Sequence, residues 1–248
     1  MKQKPVRERL DLLLVERGLA ESSEKATAMI LAGEVQVDGI RADKAGMQFS
    51  TKAKIEVASR QQKYVSRGGL KLEGALKAFS VDPTGSICLD VGSSHGGFTD
   101  CLLQHGATRV YAVDVNVEQL DWKLRRDARV IPVKHNAREL SMADTTELVD
   151  VVTIDVSFIS VEKVLEPVLK LAKPGAIFVI LIKPQFELPR EQVSPGGIVK
   201  SKRLREKAIL LVSKHVQALG LKFVKVRPSK ITGAEGNQEY FLHARKKA

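Results

Sequence analysis

The chain has 248 residues, 44% of them hydrophobic and 28% charged, which is enough apolar side chain to bury a core and exclude wholesale disorder. Its longest apolar run, 176–182, is far short of the ~20 residues of a membrane span, and the first residues carry no secretory pattern. Forty Lys and Arg against 29 Asp and Glu give a net charge of +11, which favours a polyanionic partner.

Residues 8–18 place Leu10, Leu13 and Leu14 on one helical face, and Gly18 stops the helix. Ser22 or Ser23 caps a second helix that ends at Gly33. Val35 and Val37 then alternate with polar residues, Asp38-Gly39 signals a tight turn, and 54–57 reads as another short strand. These sixty residues predict a small α+β domain, 1–60. A polar, basic linker, 61–69, ends in Gly68-Gly69 and leads to an amphipathic helix, 71–79.

From Ser86 the pattern becomes α/β. Apolar strands at 86–91, 109–114, 129–133, 150–155 and 176–182 alternate with helices near 97–105, 117–126, 160–172 and 202–218. Crossover helices imply a mostly parallel, doubly wound sheet. Two late strands, 221–227 and 238–245, have no helix between them and should pair antiparallel. The expected fold of 70–248 is therefore Rossmann-like, with seven strands of which one is antiparallel. A parallel sheet that ends this way is the architecture of class I methyltransferases.

The first strand runs into Asp90-Val91-Gly92-Ser93-Ser94-His95-Gly96-Gly97-Phe98. Strand, glycine loop and helix form the nucleotide site of open α/β sheets. The GxxxGG spacing fits the dinucleotide fingerprint poorly, and a carboxylate at Asp90 would repel a pyrophosphate. It suits instead the cationic methionine end of S-adenosylmethionine. Asp114 ends the second strand, with Val115 after it, where a carboxylate can hold ribose hydroxyls. Asn136 and Ala137 follow the third strand, where an adenine could lie. The expected cofactor-binding set is Asp90, Gly92, Ser93, Ser94, Gly96, Gly97, Phe98, Asp114, Val115, Asn136, Ala137 and Asp155.

Asp155 ends the fourth strand and Lys183 the fifth. Carboxyl ends of parallel strands face the ligand crevice, and a lysine closing an apolar strand is costly unless it has a partner or a task. Lys71 opens the helix after Gly68-Gly69, and Glu239 starts the last strand after Gly236-Asn237-Gln238.

Here the chain resembles the TlyA family of ribosomal RNA ribose methyltransferases, often labelled haemolysin-like. Residues 1–60 are similar to the S4 type of RNA-binding domain through RLDLLLVERGLAESSEKATAMILAGEVQVDG. Residues 64–248 resemble the FtsJ-type methyltransferase domain through SRGGLKL, LDVGSSHGGFTD, TIDVSFIS, LIKPQFE and GNQEYF. The resemblance implies 2′-O-methylation, of cytidine, by a Lys-Asp-Lys-Glu tetrad that falls on Lys71, Asp155, Lys183 and Glu239. Lys183 would accept the hydroxyl proton, and a lysine does so near neutral pH when burial or a second ammonium disfavours its charge.

RNA contact is expected at Arg7, Arg9, Lys25, Arg41, Lys44, Arg67, Lys200, Lys202, Arg203 and Arg205. The S4 pattern is altered at Ser22-Ser23, where Ser-Arg is common, and the linker has Lys63-Tyr64-Val65 in place of a tryptophan found in some relatives. Residues 81–182 carry 10 basic and 14 acidic side chains, and residues 183–248 carry 15 and 5, so the C-terminal lobe is the stronger anion-binding candidate. Cys88 and Cys101, without CxxC spacing, and Trp122 read as packing residues, although Trp122 could also border the adenine pocket. His95 reads as a loop residue with a backbone or solvent-facing role. The partner implied is ribosomal RNA or a ribosomal subunit, with no metal and no membrane, in the cytoplasm. Two other readings stay open: an RNA-binding module without activity, and a membrane-lytic haemolysin.

Overall fold

A computed structural model of the chain describes residues 7–57, 63–233 and 236–247. The chain divides into two compact units, Met1–Gln62 and Lys63–Ala248.

The first unit runs β1 (Arg7–Arg9), α1 (Leu10–Glu16), α2 (Ser23–Leu31), β2 (Val35–Val37), β3 (Ile40–Arg41), β4 (Gln48–Ser50) and β5 (Ile55–Val57). Leu10 and Leu14 of α1 meet Ala26 and Ile30 of α2 over Val35 and Val37. The Ser22 hydroxyl accepts from Lys25 N at 3.2 Å and caps α2. Asp38 and Gly39 both take positive φ, the geometry of a two-residue hairpin turn. That turn sets Val37 opposite Ile40, and β5 pairs with the other edge of β2. The first helix starts two residues later than its periodicity predicts, because Arg7–Arg9 pairs antiparallel with Gln48–Ser50.

The second unit begins with α3 (Arg67–Phe79), then β6 (Ile87–Val91), α4 (Gly97–Gln104), β7 (Arg109–Asp114), α5 (Trp122–Arg125), β8 (Val130–Lys134), α6 (Met142–Thr145) and β9 (Val149–Ile154). It continues with α7 (Glu162–Lys170), β10 (Ala172–Ile182), α8 (Pro184–Glu187), α9 (Lys202–Ala218), β11 (Lys222–Pro228) and β12 (Tyr240–Arg245). The strand order is β11-β12-β10-β9-β6-β7-β8. Only β12 runs antiparallel to its neighbours, which it pairs on both sides. Successive strand residues serve opposite faces. Leu89 and Val91 pack with Val164 and Val168 of α7 and Val212 of α9. Cys88 packs with Leu72 of α3, Cys101 of α4 and Leu124 of α5.

In this unit β10 begins at Ala172, four residues before its predicted start, and two helices also differ from the sequence expectation. The helix predicted at 71–79 begins at Arg67, with Ser66 as its cap. Gly68 and Gly69, expected in the linker, form its first turn; residues 61 and 62 lie outside the described residues. Here glycine permits close packing: a Cβ on Gly69 would overlap the Tyr64 ring, and one on Gly97 would overlap the Ser66 hydroxyl. The helix predicted at 117–126 is split into a 3-10 turn, Val117–Gln119, and α5. Leu120 between them is extended, which lets Leu120 and Leu124 both close on Gly96.

Candidate active site

Strand order reverses between β6 and β9, since the chain leaves β6 through β7 and β8 and returns on the other side. Ligands of open α/β sheets bind at that switch point, at the strand carboxyl ends. Gly92 follows β6 and Asp155 follows β9. Gly92 has φ +85°, and a Cβ there would overlap the Asp155 carbonyl oxygen. The two strand ends therefore meet only because position 92 is glycine.

Two cavities open at this point. The larger, about 420 Å³, is lined by residues that include Asp114, Gln119, Asn136, Ala137 and Phe158. The smaller, about 210 Å³, is lined by residues that include Ser66, Gly68, Lys71, Ser93, Gly97 and Phe98. Gly92, Ser94 and Asp155 belong to both, and the volumes suit a small elongated ligand. Asp114 Oδ2 accepts from Ser94 N at 2.9 Å, and its Oδ1 accepts from Asn116 N and from Gln119 Nε2. Three of about four carboxylate acceptor positions are thus used, leaving Oδ2 one position for a ligand hydroxyl. Among the described residues the buried Ser93 hydroxyl has no hydrogen-bond partner, which leaves it for a polar group in the smaller cavity.

Of the expected cofactor residues, the structure brings all but two to these walls. Asp90 is fully buried, with Thr99 Oγ1 donating to Oδ2 at 2.7 Å and Thr153 Oγ1 to Oδ1 at 2.9 Å. It lines neither cavity, and burial raises its pKa to about 7, with the two hydroxyls pulling it back. Asp90 is therefore an internal brace between β6, α4 and β9. Gly96 also lines neither cavity, because its missing side chain makes room for Leu120 and Leu124. Ser66, Gln119, Phe158 and Thr232 line the walls and were not singled out in the sequence. The polar segment ahead of Gly68-Gly69 was the one available signal for Ser66. Phe158, 92% exposed at φ +63°, lay in a motif with no periodicity to single it out.

Four charged side chains form two pairs beside the smaller cavity. Lys71 Nζ donates to Glu239 Oε2 at 2.6 Å, and Lys183 Nζ lies 2.6 Å from Asp155 Oδ1. Lys183 Nζ also donates to Ser157 Oγ at 2.7 Å. Lys71 and Asp155 line the same cavity, so α3, β9, β10 and the turn before β12 all deliver a charge to one place. Glu239 is held from behind by its chain neighbours: Gly233 leaves room for its carboxylate, and Asn237 bridges Gly197 O and Val199 N.

The expected RNA-contacting residues divide. Arg9 forms a two-point pair with buried Asp11, and Arg205 donates to the Val199 and Lys200 carbonyls. The guanidinium of Arg41 lies over Gly33, where a Cβ would overlap it. These three arginines make contacts within their own unit, while Arg9 and Arg41 remain exposed. Lys202 makes a loose pair with Glu206 at 3.9 Å. Arg7, Lys25, Lys44, Lys200 and Arg203 are exposed, and exposed Arg67 borders the smaller cavity. Cys88 and Cys101 are buried packing residues.

The FtsJ-like methyltransferase profile matches residues 64–246. The chain belongs to that family. It carries an S4 domain match over residues 8–55, the two-part arrangement of the TlyA branch. The 16S/23S rRNA (cytidine-2′-O)-methyltransferase TlyA of Mycobacterium tuberculosis is 44% identical over 96% of this chain and 90% of its own length. The YqxC protein of Bacillus subtilis is 46% identical over 96% of this chain and 85% of its own. A solved structure from Streptococcus thermophilus, 40% identical, superposes with a TM-score of 0.74 over 98% of this chain and 89% of that one. Among the described residues of this FtsJ-like enzyme, no helix is long and apolar enough to cross a membrane.

Proposed function

We propose that the chain transfers a methyl group from S-adenosylmethionine to the 2′-oxygen of a cytidine ribose in ribosomal RNA, in the cytoplasm. The observation that carries this reading is the meeting of Lys71–Glu239 and Lys183–Asp155 beside a cavity that shares Gly92, Ser94 and Asp155 with the larger one. The residues fit the cofactor: Asn136 and Ala137 would border the adenine, Asp114 would take a ribose hydroxyl, and Ser93 with the glycine loop would meet the methionine end. When bound, S-adenosylmethionine supplies an electrophilic methyl on a sulfonium.

The chain's own residues orient the nucleophile and manage its proton. A ribose hydroxyl must lose its proton as its oxygen forms the new bond to carbon and the carbon–sulfur bond breaks. That proton is assigned to Lys183 Nζ. Asp155 and Ser157 fix the direction of the Nζ and share its positive charge afterwards. Lys71, held by Glu239, places a second ammonium where oxyanion charge develops. Most of the acceleration comes from holding hydroxyl and methyl in line, which the rigid strand ends provide.

The test incubates the full-length protein with radiolabelled S-adenosylmethionine and ribosomal subunits from a strain lacking this enzyme, wild type beside Lys183→Ala. Label in an alkali-resistant dinucleotide with wild type, and none with the variant, is the expected result. Cofactor binding without label in either subunit or in naked RNA would overturn the reading in favour of an inactive RNA-binding module.

A further inference from the structure

Trp122 is the chain's single tryptophan. It opens α5 half-buried and lines neither cavity, so the alternative that it borders the adenine pocket does not hold. Arg126 lies 5.1 Å and Lys123 6.0 Å from its ring centroid, within cation–π range. Arg125, exposed, belongs to the same turn.

Half of the basic side chains of 81–182 are paired with carboxylates, and among the described residues Arg138 and Lys163, like the cations of this turn, are not. Residues 81–182 hold 10 basic and 14 acidic side chains. Arg109, Arg129, Lys134, Lys170 and Lys173 are each paired with a carboxylate. Among the described residues, no carboxylate side chain pairs with Lys123, Arg125 or Arg126. The nearest acids in sequence are committed elsewhere. Asp121 accepts the Lys123 backbone N–H as the α5 cap, and Asp127 binds Arg129. Lys123 and Arg126 therefore face the indole without a carboxylate pair among the described residues, and Arg125 of the same turn acts on Glu118 only at a distance.

The site beneath explains why this surface matters. Leu120 and Leu124 close on Gly96, Asp121 N donates to His95 O, and Gln119 holds Asp114. The segment carrying α5 is thus bolted to the glycine loop at the carboxyl ends of β6 and β7, next to the larger cavity. Arginine beside a solvent-accessible aromatic ring, here a half-buried one, is the chemistry that holds single-stranded nucleic acid, with a base on the ring and phosphates on the cations.

We propose that Trp122, Lys123, Arg125 and Arg126 form an RNA-docking surface that stacks an unpaired base on the indole and neutralises its flanking phosphates. This rests on the RNA-methylation reading and deepens it, adding a substrate contact outside the reaction pocket. The four residues act on docking, so the loss falls on KM rather than on kcat.

Because no other tryptophan exists, emission from the intact protein reports this surface directly. The probe is naked ribosomal RNA purified from subunits that lack the modification. It is titrated against tryptophan emission in wild type. Filter binding across a salt series then compares wild type, Trp122→Ala, Trp122→Phe and the double variant Lys123→Glu/Arg126→Glu. Saturable quenching is expected, with about ten-fold weaker binding for Trp122→Ala and near-wild-type binding for Trp122→Phe. The double variant should lose about two from the salt slope. All variants should keep S-adenosylmethionine affinity, which also shows that they fold. Binding and methylation with unchanged emission, slope and KM would overturn the surface and leave the methylation reading standing. A response to intact subunits and never to naked RNA would assign the surface to a ribosomal protein and overturn it as well. Neither binding nor methylation by wild type would overturn both.

Discussion

Lys71 and Glu239 are 168 positions apart in the chain, and Lys71 Nζ donates to Glu239 Oε2 at 2.6 Å. Their side chains are 12% and 3% exposed, so each is the other's charge compensation. Removing one partner of such a pair costs about 3–5 kcal/mol, whereas replacing both with apolar side chains is often neutral. Glu239→Ala should lower the unfolding free energy by about 3 kcal/mol. The double variant Lys71→Met/Glu239→Leu should recover most of that stability and none of the methyl transfer. Urea unfolding and the label assay separate the two effects, and a double variant as unstable as the single would show the pair is not buried as described.

Gly92 is the point where β6 and β9 come together. Alanine there must hold a left-handed backbone and overlap the Asp155 carbonyl, a cost of about 1–3 kcal/mol from backbone strain alone. Because Asp155 lines both cavities, Gly92→Ala should also abolish S-adenosylmethionine binding by calorimetry. Gly74, within α3, has open space around its missing Cβ. Gly74→Ala should therefore stabilise by about 0.5–1 kcal/mol and leave binding intact. Equal behaviour of the two alanine variants would remove the claim for position 92.

Asp90 makes stability depend on pH. Burial raises its pKa to about 7 in the folded protein, against ~3.9 for an unperturbed aspartate. Between those values the folded state keeps a proton that the unfolded chain releases. A contribution fully present below ~pH 4 is therefore lost as pH rises toward the folded value. Asp90→Asn has no such titration. Its unfolding free energy minus that of wild type should grow by roughly 2 kcal/mol from about pH 5 to about pH 7. His243, whose pKa is lowered by burial and by Arg245, works in the opposite direction but cancels in the difference. A flat difference across this window would place the titration on another group.

Glu187, at the end of α8, accepts from Ser160 Oγ at 2.6 Å and Val161 N at 3.0 Å. Burial raises its pKa, with those two hydrogen bonds opposing. Between Asp155 and these anchors run Ser157, which steadies Lys183, and Phe158, whose ring lies 5.2 Å from that of Phe186. Glu187 is thus a positioning residue for the β9–α7 segment. Glu187→Ala should reduce kcat about ten-fold, the size of one lost hydrogen bond of ~1–1.5 kcal/mol. Glu187→Gln, whose amide oxygen can still accept from Val161 N while its NH2 donates to Ser160 Oγ, should restore most of it. Equal loss in the two variants would argue that the charge rather than the anchoring matters.

Much of the methyltransferase unit was legible because its signals are local. Apolar runs of strand length, separated by helical stretches, specify a doubly wound sheet before any contact is known. The β11–β12 antiparallel pair followed from a connection with no helix in it. The motifs ending at Asp155 and Lys183 announced themselves as charges closing apolar strands. The strand pairing of Arg7–Arg9 with Gln48–Ser50 was illegible, since three-residue strands carry too little periodicity and their partner is distant.

What the sequence by itself determined is which residue types stand at the strand ends, and that they suit a methyl donor and a ribose hydroxyl. Only the tertiary structure decided their company. A carboxylate two residues before Gly92 looks the same in sequence whether it faces a ligand or the core. The packing of Thr99 and Thr153 turned Asp90 inward, just as Asp11 claimed Arg9 and two carbonyls claimed Arg205. Conversely, Lys123 and Arg126 were two charges among forty until the fold set them over Trp122 with no carboxylate pair among the described residues. A charged side chain's function depends on whether a partner neutralises it, and partners are set by contacts between segments far apart in the chain.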